Sequence, residues 1–186
     1  MLYIVGVPRS GKSTFIELIK ELCPDLNWIA TDAIQNAVIH TFPKFSSDEI
    51  SKIDKQQEIA QIVASLADWN EVLTGQQTIV DVGELPIEAV YKILKPTDKM
   101  VCLGFGGNLN NEQIWDSIKR HHQEYDYTYG MDFERVKRKW GDFARKDDNN
   151  RFFCRQHNIK YIDTAENRHS TLLKEAEEII VYLYEN

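Results

Sequence analysis

The chain has few cysteines, few long apolar runs and a shortage of positive charge, and each shortage excludes a class of protein. Its three cysteines, Cys23, Cys102 and Cys154, are odd in number and far apart, so they do not outline a disulfide framework. There is no CxxC pair and no Cys/His cluster, which removes the usual zinc modules. Thiols used this sparingly fit a reduced, cytoplasmic setting. No apolar run approaches the length needed to span a membrane. The opening apolar run is too short for a signal peptide and has no basic segment before it. Lys and Arg number 22 against 29 Asp and Glu, a net charge of −7. That balance disfavours nonspecific nucleic-acid binding, which depends on neutralising phosphates with cations. Internal repeats, low-complexity tracts and flexible linkers are also missing. With 186 residues the chain reads as one domain with a full core.

The specific signal comes at the start. Met1-Leu2-Tyr3-Ile4-Val5 is rich in strand-forming residues and runs straight into Gly6-Val7-Pro8-Arg9-Ser10-Gly11-Lys12-Ser13-Thr14. This stretch fits G-x-x-x-x-G-K-[ST] at every fixed position. Phe15 to Leu22 follows with apolar residues at helical spacing. Strand, glycine loop and helix form the context in which backbone N–H groups turn inward around phosphate oxygens. Lys12 has the length to reach β- and γ-phosphates, and the Ser13 hydroxyl suits Mg²⁺.

Further strands are expected at Asn27–Ala30, 77–84, 99–105 and 159–163, with helices between them. Alternation of this kind gives an α/β fold with a mostly parallel sheet covered on both faces. Thr31 or Asp32 reads as a helix cap, and Asp32 also lies just past a strand's carboxyl end, where such sheets bind ligands. A carboxylate there can accept a proton from a substrate hydroxyl. Residues 33–76 form a helical insertion, with a helix start near Ser46-Ser47-Asp48-Glu49 and a stop at Gly75. The apolar residues of that helix, Trp69 included, are expected in the core.

Asp81 closes the third apolar run, the position of a carboxylate that holds Mg²⁺ directly or through water, and Glu84 is a second acid at that edge. Asn110 suits a helix cap over 111–124. A cationic helix from Met131 to about Trp140 leads to Gly141, a natural hinge for a lid over about 125–151. Most lysines there read as a solvated face. Arg145 and Arg151, then Arg138 and Arg120, are the cations expected to meet a phosphoryl group, because Arg offers a planar fork of donors.

The loop GVPRSGKST, Asp32, the insertion, VDVGE and the Arg-bearing segment, in that order, resemble the P-loop small-molecule kinases. That superfamily includes the nucleoside-monophosphate, shikimate and gluconate kinases and small AAA-type members. The resemblance implies a three-layer fold with a five-stranded parallel sheet in order 2-3-1-4-5. It implies ATP with Mg²⁺, and phosphoryl transfer to a small-molecule acceptor by a monomer or homodimer. Carried over, Gly6, Pro8, Arg9, Ser10, Gly11, Lys12, Ser13 and Thr14 would hold phosphates, with Ser13 and Asp81 at the metal. Asp32 would orient or deprotonate the acceptor, Arg145 and Arg151 would be lid arginines, and Thr164 and Arg168 would lie near the adenine.

Three departures narrow the expectation. The DGxPR signature of adenylate kinases and the arginines expected near 33–45 for a nucleotide acceptor are missing. NKxD and DxxG are missing too, which disfavours a GTPase switch. A nucleotide-binding ATPase or regulatory module, and a toxin-type kinase, are the competing readings.

Overall fold

The apolar stretch at the start forms β1 (Leu2–Gly6), whose residues are all buried. This strand is central in a five-stranded, all-parallel sheet of order β2-β3-β1-β4-β5. The computed structural model describes residues 1–46, 51–105 and 130–185. In chain order, β1 leads to α1 (Lys12–Leu22), β2 (Asn27–Ala30), α2 (Thr31–Thr41), α3 (Pro43–Ser46) and α4 (Lys52–Thr74). Then come β3 (Thr78–Asp81), α5 (Ile87–Tyr91), β4 (Lys99–Gly104), α6 (Phe133–His157), β5 (Lys160–Asp163) and α7 (Arg168–Glu185). The class and strand order are those expected.

Side chains alternate across the sheet, and both faces are covered, which is why the strands read as continuous apolar runs. Tyr3, Val5, Val80, Met100 and Cys102 pack on one face with Ile59, Ala60 and Val63 of α4 and Cys154 of α6. Leu2, Ile4, Ile79, Val101 and Leu103 pack on the other with Phe15 and Ile19 of α1 and Leu172 and Ala176 of α7. A third cluster, Val7, Phe105, Val136 and Trp140, fastens α6 over the carboxyl edge. The cysteines are buried free thiols, and Cys102 on β4 and Cys154 on α6 share one core cluster.

Several local expectations need correction. The cap of α2 is Ala30, and Thr31 and Asp32 lie in the first turn. Thr31 instead spends its hydroxyl on Gly83, which frees Asp32 from any capping task. Ser46 ends the short helix α3, and Ser51 caps α4, its Oγ accepting from Asp54 N–H at 3.2 Å. Gly75 ends α4 in the left-handed conformation, as expected. Trp69 is exposed, not in the core. The sheet face is already filled by Ile59, Ala60, Val63 and Ala67, a stripe that leaves Trp69 on another side of the helix. Gly141 is no break, because α6 runs through it for 25 residues from its Asp132 cap to Asn158. The helix start expected at Ser47–Glu49, the Asn110 cap with its helix over 111–124, and Arg120 lie outside the described residues.

α6 is tied to the sheet by a buried carboxylate. Asp147 accepts from the Phe105 N–H at 3.0 Å and from the Tyr161 hydroxyl at 2.9 Å. These bonds need Gly104 beneath them, since a Cβ there would stand 1.9 Å from Asp147 Oδ1 and 2.1 Å from Tyr161 Oη. Gly104→Ala is therefore expected to lower stability by roughly 2–4 kcal/mol, by overpacking and loss of buried hydrogen bonds. Urea unfolding measures it, and a loss below about 0.5 kcal/mol would show that α6 is free to shift.

Candidate active site

The loop between β1 and α1 lies at the carboxyl edge of the sheet, where open α/β folds bind ligands. Its shape depends on close approach. Gly6 passes so near β4 that a Cβ would meet the Leu103 carbonyl oxygen at 2.3 Å. Gly11 starts α1 at φ 92°, with no side chain capping the helix. The first N–H groups of α1 are thus left for an anion, at the positive end of the helix dipole. Arg9 holds φ 70°, a conformation that costs a non-glycine residue about 1 kcal/mol or more and that recurs at ligand clamps.

Lys12 folds back over this loop, its Nζ 3.4 Å from the Gly6 carbonyl and 3.5 Å from that of Val7. The stem keeps some exposure while the ammonium end is enclosed. Burial lowers its pKa, and the nearby charge of Asp81 opposes that shift. The β-ladders explain the pairing: Asp81 stands opposite Ile4 on β1 and opposite Ala30 on β2. It therefore sits between the strand that enters the loop and the strand that delivers Asp32. Burial raises the Asp81 pKa, Lys12 pulls it back and Asp32 adds to the rise. Its Oδ1 is buried with no hydrogen-bond partner. A buried, unpartnered carboxylate oxygen costs about 1–3 kcal/mol, and it is suited to a cation or a bound water.

Ser13 and Thr14 are exposed in the first turn of α1. Hydroxyl, carboxylate and phosphate oxygens are the donor set Mg²⁺ takes, bound through one or two carboxylates plus substrate phosphates. The residues present fit that ion; among the described residues no group of three or more His, Cys, Asp or Glu is arranged to hold a metal by itself.

Asp32 is exposed at the start of α2, and its carboxylate lies against Gly83, where a Cβ would come within 1.6 Å of Oδ1. The Gly83 N–H donates to Thr31 Oγ1 at 2.9 Å, which holds the β3–α5 loop to the head of α2. One turn on, Gln35 has a buried Oε1 with no partner.

Thr164 and Arg168 reach the loop from the other side. Thr164 is fully buried, and its hydroxyl donates toward the Ser10 and Gly104 carbonyls at 2.9 and 3.0 Å. It braces the loop through the Ser10 carbonyl. Arg168 packs beside Gly11, with Cδ 3.5 Å from where a Gly11 Cβ would be. Burial and the charge of Arg9 lower its pKa.

Arg145 is exposed and paired with Asp142, and Arg151 pairs with Asp148 at 2.8 Å. Lys146 of α6, read from sequence as part of a solvated face, lies near enough to couple with Lys12. It is half-buried, and its charge lowers the Lys12 pKa. Burial lowers its own pKa, opposed by Glu84 and Asp32. In the folded chain Val136, Trp140 and Cys154 mark the inward stripe of α6, and Asp147 and Asn150 fall on it beside Lys146, a phase that the charge run in the sequence does not reveal. A cavity of about 240 Å³, lined by Cys23, Leu26, Gln77 and Leu183 among others, lies at the opposite edge of the sheet and has no part in this site.

No family model and no curated protein sequence matches the chain. Solved structures do match its shape. Shikimate kinase from Bacteroides thetaiotaomicron superposes at TM-score 0.53 and 13% identity, over 100% of this chain and 98% of that one. A gluconokinase from Sinorhizobium meliloti 1021 gives 0.54 at 14%, over 98% and 94%. The chain shares its fold with these two structures.

The raised Asp81 pKa has a measurable sign. Folding favours the protonated acid, so this group's contribution is fully present below the unfolded pKa of about 4 and is lost as pH rises through the folded value. Ligand-free Asp81→Asn is therefore expected to melt above the wild type at pH 7.5, by the equivalent of about 1 kcal/mol. The gap should close as the pH approaches about 4. Thermal scans at several pH values measure it, and a variant melting below the wild type at every pH would be the contrary result.

Proposed function

We propose that this chain is an ATP-dependent phosphotransferase that moves the γ-phosphoryl group to a hydroxyl of a small-molecule acceptor. One observation carries the reading. An uncapped helix start, an enclosed lysine and a carboxylate with an unpartnered buried oxygen converge at one point of the sheet edge. An anionic chain of phosphates with a divalent cation satisfies all three together. The kinase names of the two structural neighbours agree with it.

The loop from Gly6 to Thr14 wraps the β- and γ-phosphates with its N–H groups, and Lys12 swings off the Gly6 and Val7 carbonyls onto their oxygens. Ser13 and Asp81 would hold Mg²⁺, which when bound supplies charge neutralisation at the phosphates. Phosphate binding replaces the cost of keeping Lys12 charged in an enclosed site with an ion pair. Arg168, with Arg9 nearby, flanks the nucleoside end, and Thr164 keeps the loop in shape. Asp32 accepts the hydrogen bond of the attacking hydroxyl, aimed by the Thr31–Gly83 clamp. Lys146 meets the far side of the phosphoryl group. Arg145 and Arg151 take the lid role only if α6 changes position on closure. Catalysis by such a set is mostly positioning and stabilisation of charge on the equatorial oxygens.

A metabolite panel screened for ATP consumption with Mg²⁺ identifies the acceptor. With that acceptor, Lys12→Ala is expected to cut kcat/KM at least about 100-fold while the fold persists by circular dichroism. Retained activity would remove the proposal.

The two cations of α6 separate in the same assay. Lys146→Ala is expected to lower kcat at least about tenfold, and Arg145→Ala to change it less than about twofold. The reverse order would return the lid role to Arg145.

A further inference from the structure

The last three turns of α4 bear an apolar face that nothing among the described residues covers. Leu66, Trp69, Val72 and Leu73 are 44%, 63%, 75% and 76% exposed. Leu66, Trp69 and Leu73 follow the three and four spacing of a helix seam, and Ile62, one turn back, is half-buried at its edge and packs in part against the core. This seam lies about 100° around the helix from the stripe of Ile59, Val63 and Ala67 that meets the sheet. It is thus a second face, not frayed core. It is also remote from the phosphate loop: α4 ends beside the amino end of the sheet, where Asn27 at the start of β2 bonds Thr74.

The charges near the seam are already used within the chain. Asp68 is paired with Lys95. Glu71 accepts from the Thr78 N–H at 2.8 Å and faces the N-terminal ammonium at 3.7 Å. The remaining edge residues, Gln61, Ser65 and Asn70, are uncharged. Neither a cationic nor an anionic partner finds a complement here, whereas an identical face does. Two copies of the seam laid antiparallel would set Leu66 against Trp69 and Leu73 against the exposed edge of Ile62, an isologous contact of two-fold symmetry. Leu66, Trp69 and Leu73 present roughly 400 Å² per copy, or about 800 Å² across a pair, the size of a weak interface that dissociates on dilution. Trp at the centre is the residue type that most often dominates such contacts.

We infer that α4 is the dimerisation helix of this protein, pairing antiparallel with α4 of a second copy through Leu66, Trp69 and Leu73. The inference is independent of the nucleotide reading. Each chain carries −7, so the copies repel at a distance while the contact is apolar. Salt screens the repulsion and leaves the contact, and the dimer tightens as salt rises.

Sedimentation of the full chain tests this. The wild type is expected as a dimer at about 100 µM, dissociating on dilution, with a dissociation constant that falls between 50 and 500 mM NaCl. Trp69→Glu with Leu73→Glu is expected to raise that constant at least about 100-fold, with circular dichroism and thermal melting close to the wild type. Trp69→Phe, which keeps an apolar ring, should remain dimeric. A wild type that is monomeric at about 100 µM, or a dimer unmoved by the double substitution, would overturn the assignment.

Discussion

Everything at this site depends on the parallel ladder that places β1 between β3 and β4. The pairing of Ile4 with Asp81 and of Gly6 with Leu103 fixes where the loop amides, the lysine and the acid stand relative to one another. A parallel sheet aligns all its carboxyl ends on one edge, so residues far apart in sequence arrive there together. Burial on both faces makes the register costly to change, since a one-residue slip would turn each strand's side chains to the wrong layer. The loop is then held from outside itself, by Leu103 against Gly6 and by Thr164 under Ser10.

The site stores unfavourable terms where a ligand would relieve them. Asp81 has a buried oxygen without a partner, Lys12 is an ammonium in an enclosed space, and Arg9 holds a left-handed backbone. Elsewhere the structure satisfies comparable groups. Asp147, more deeply buried than Asp81, has the Phe105 amide and the Tyr161 hydroxyl. That contrast between two buried acids within one edge of the sheet separates a bracing group from one left open for binding.

What could be read in advance followed the range of the interactions involved. The strand–loop–helix at the start is local in sequence, and its glycines and lysine announce it. The strands at Asn27–Ala30 and Thr78–Asp81 were legible as apolar runs, and Asp81 as the acid that ends one. The role of Lys146 was not, because a lysine's meaning depends on the phase of its helix against the sheet. Arg145, its neighbour in sequence, points to solvent. The same dependence misplaced Trp69: its helix has two apolar stripes, and hydrophobicity does not say which one meets the core. Thr31 looked like a cap until the sheet brought Gly83 within 2.9 Å of its hydroxyl.

By itself the sequence determined the alternation of strands and helices, the phosphate-type loop and the acids that follow the second and third strands. Those are set by residue type and by periods of two and about 3.6, which act over a few residues. Only the tertiary structure decided which cation of α6 turns inward, which carboxylate keeps a bare oxygen and which stripe of α4 stays outside. These depend on how separate elements pack, and a side chain's surroundings there come from strands and helices dozens of residues away.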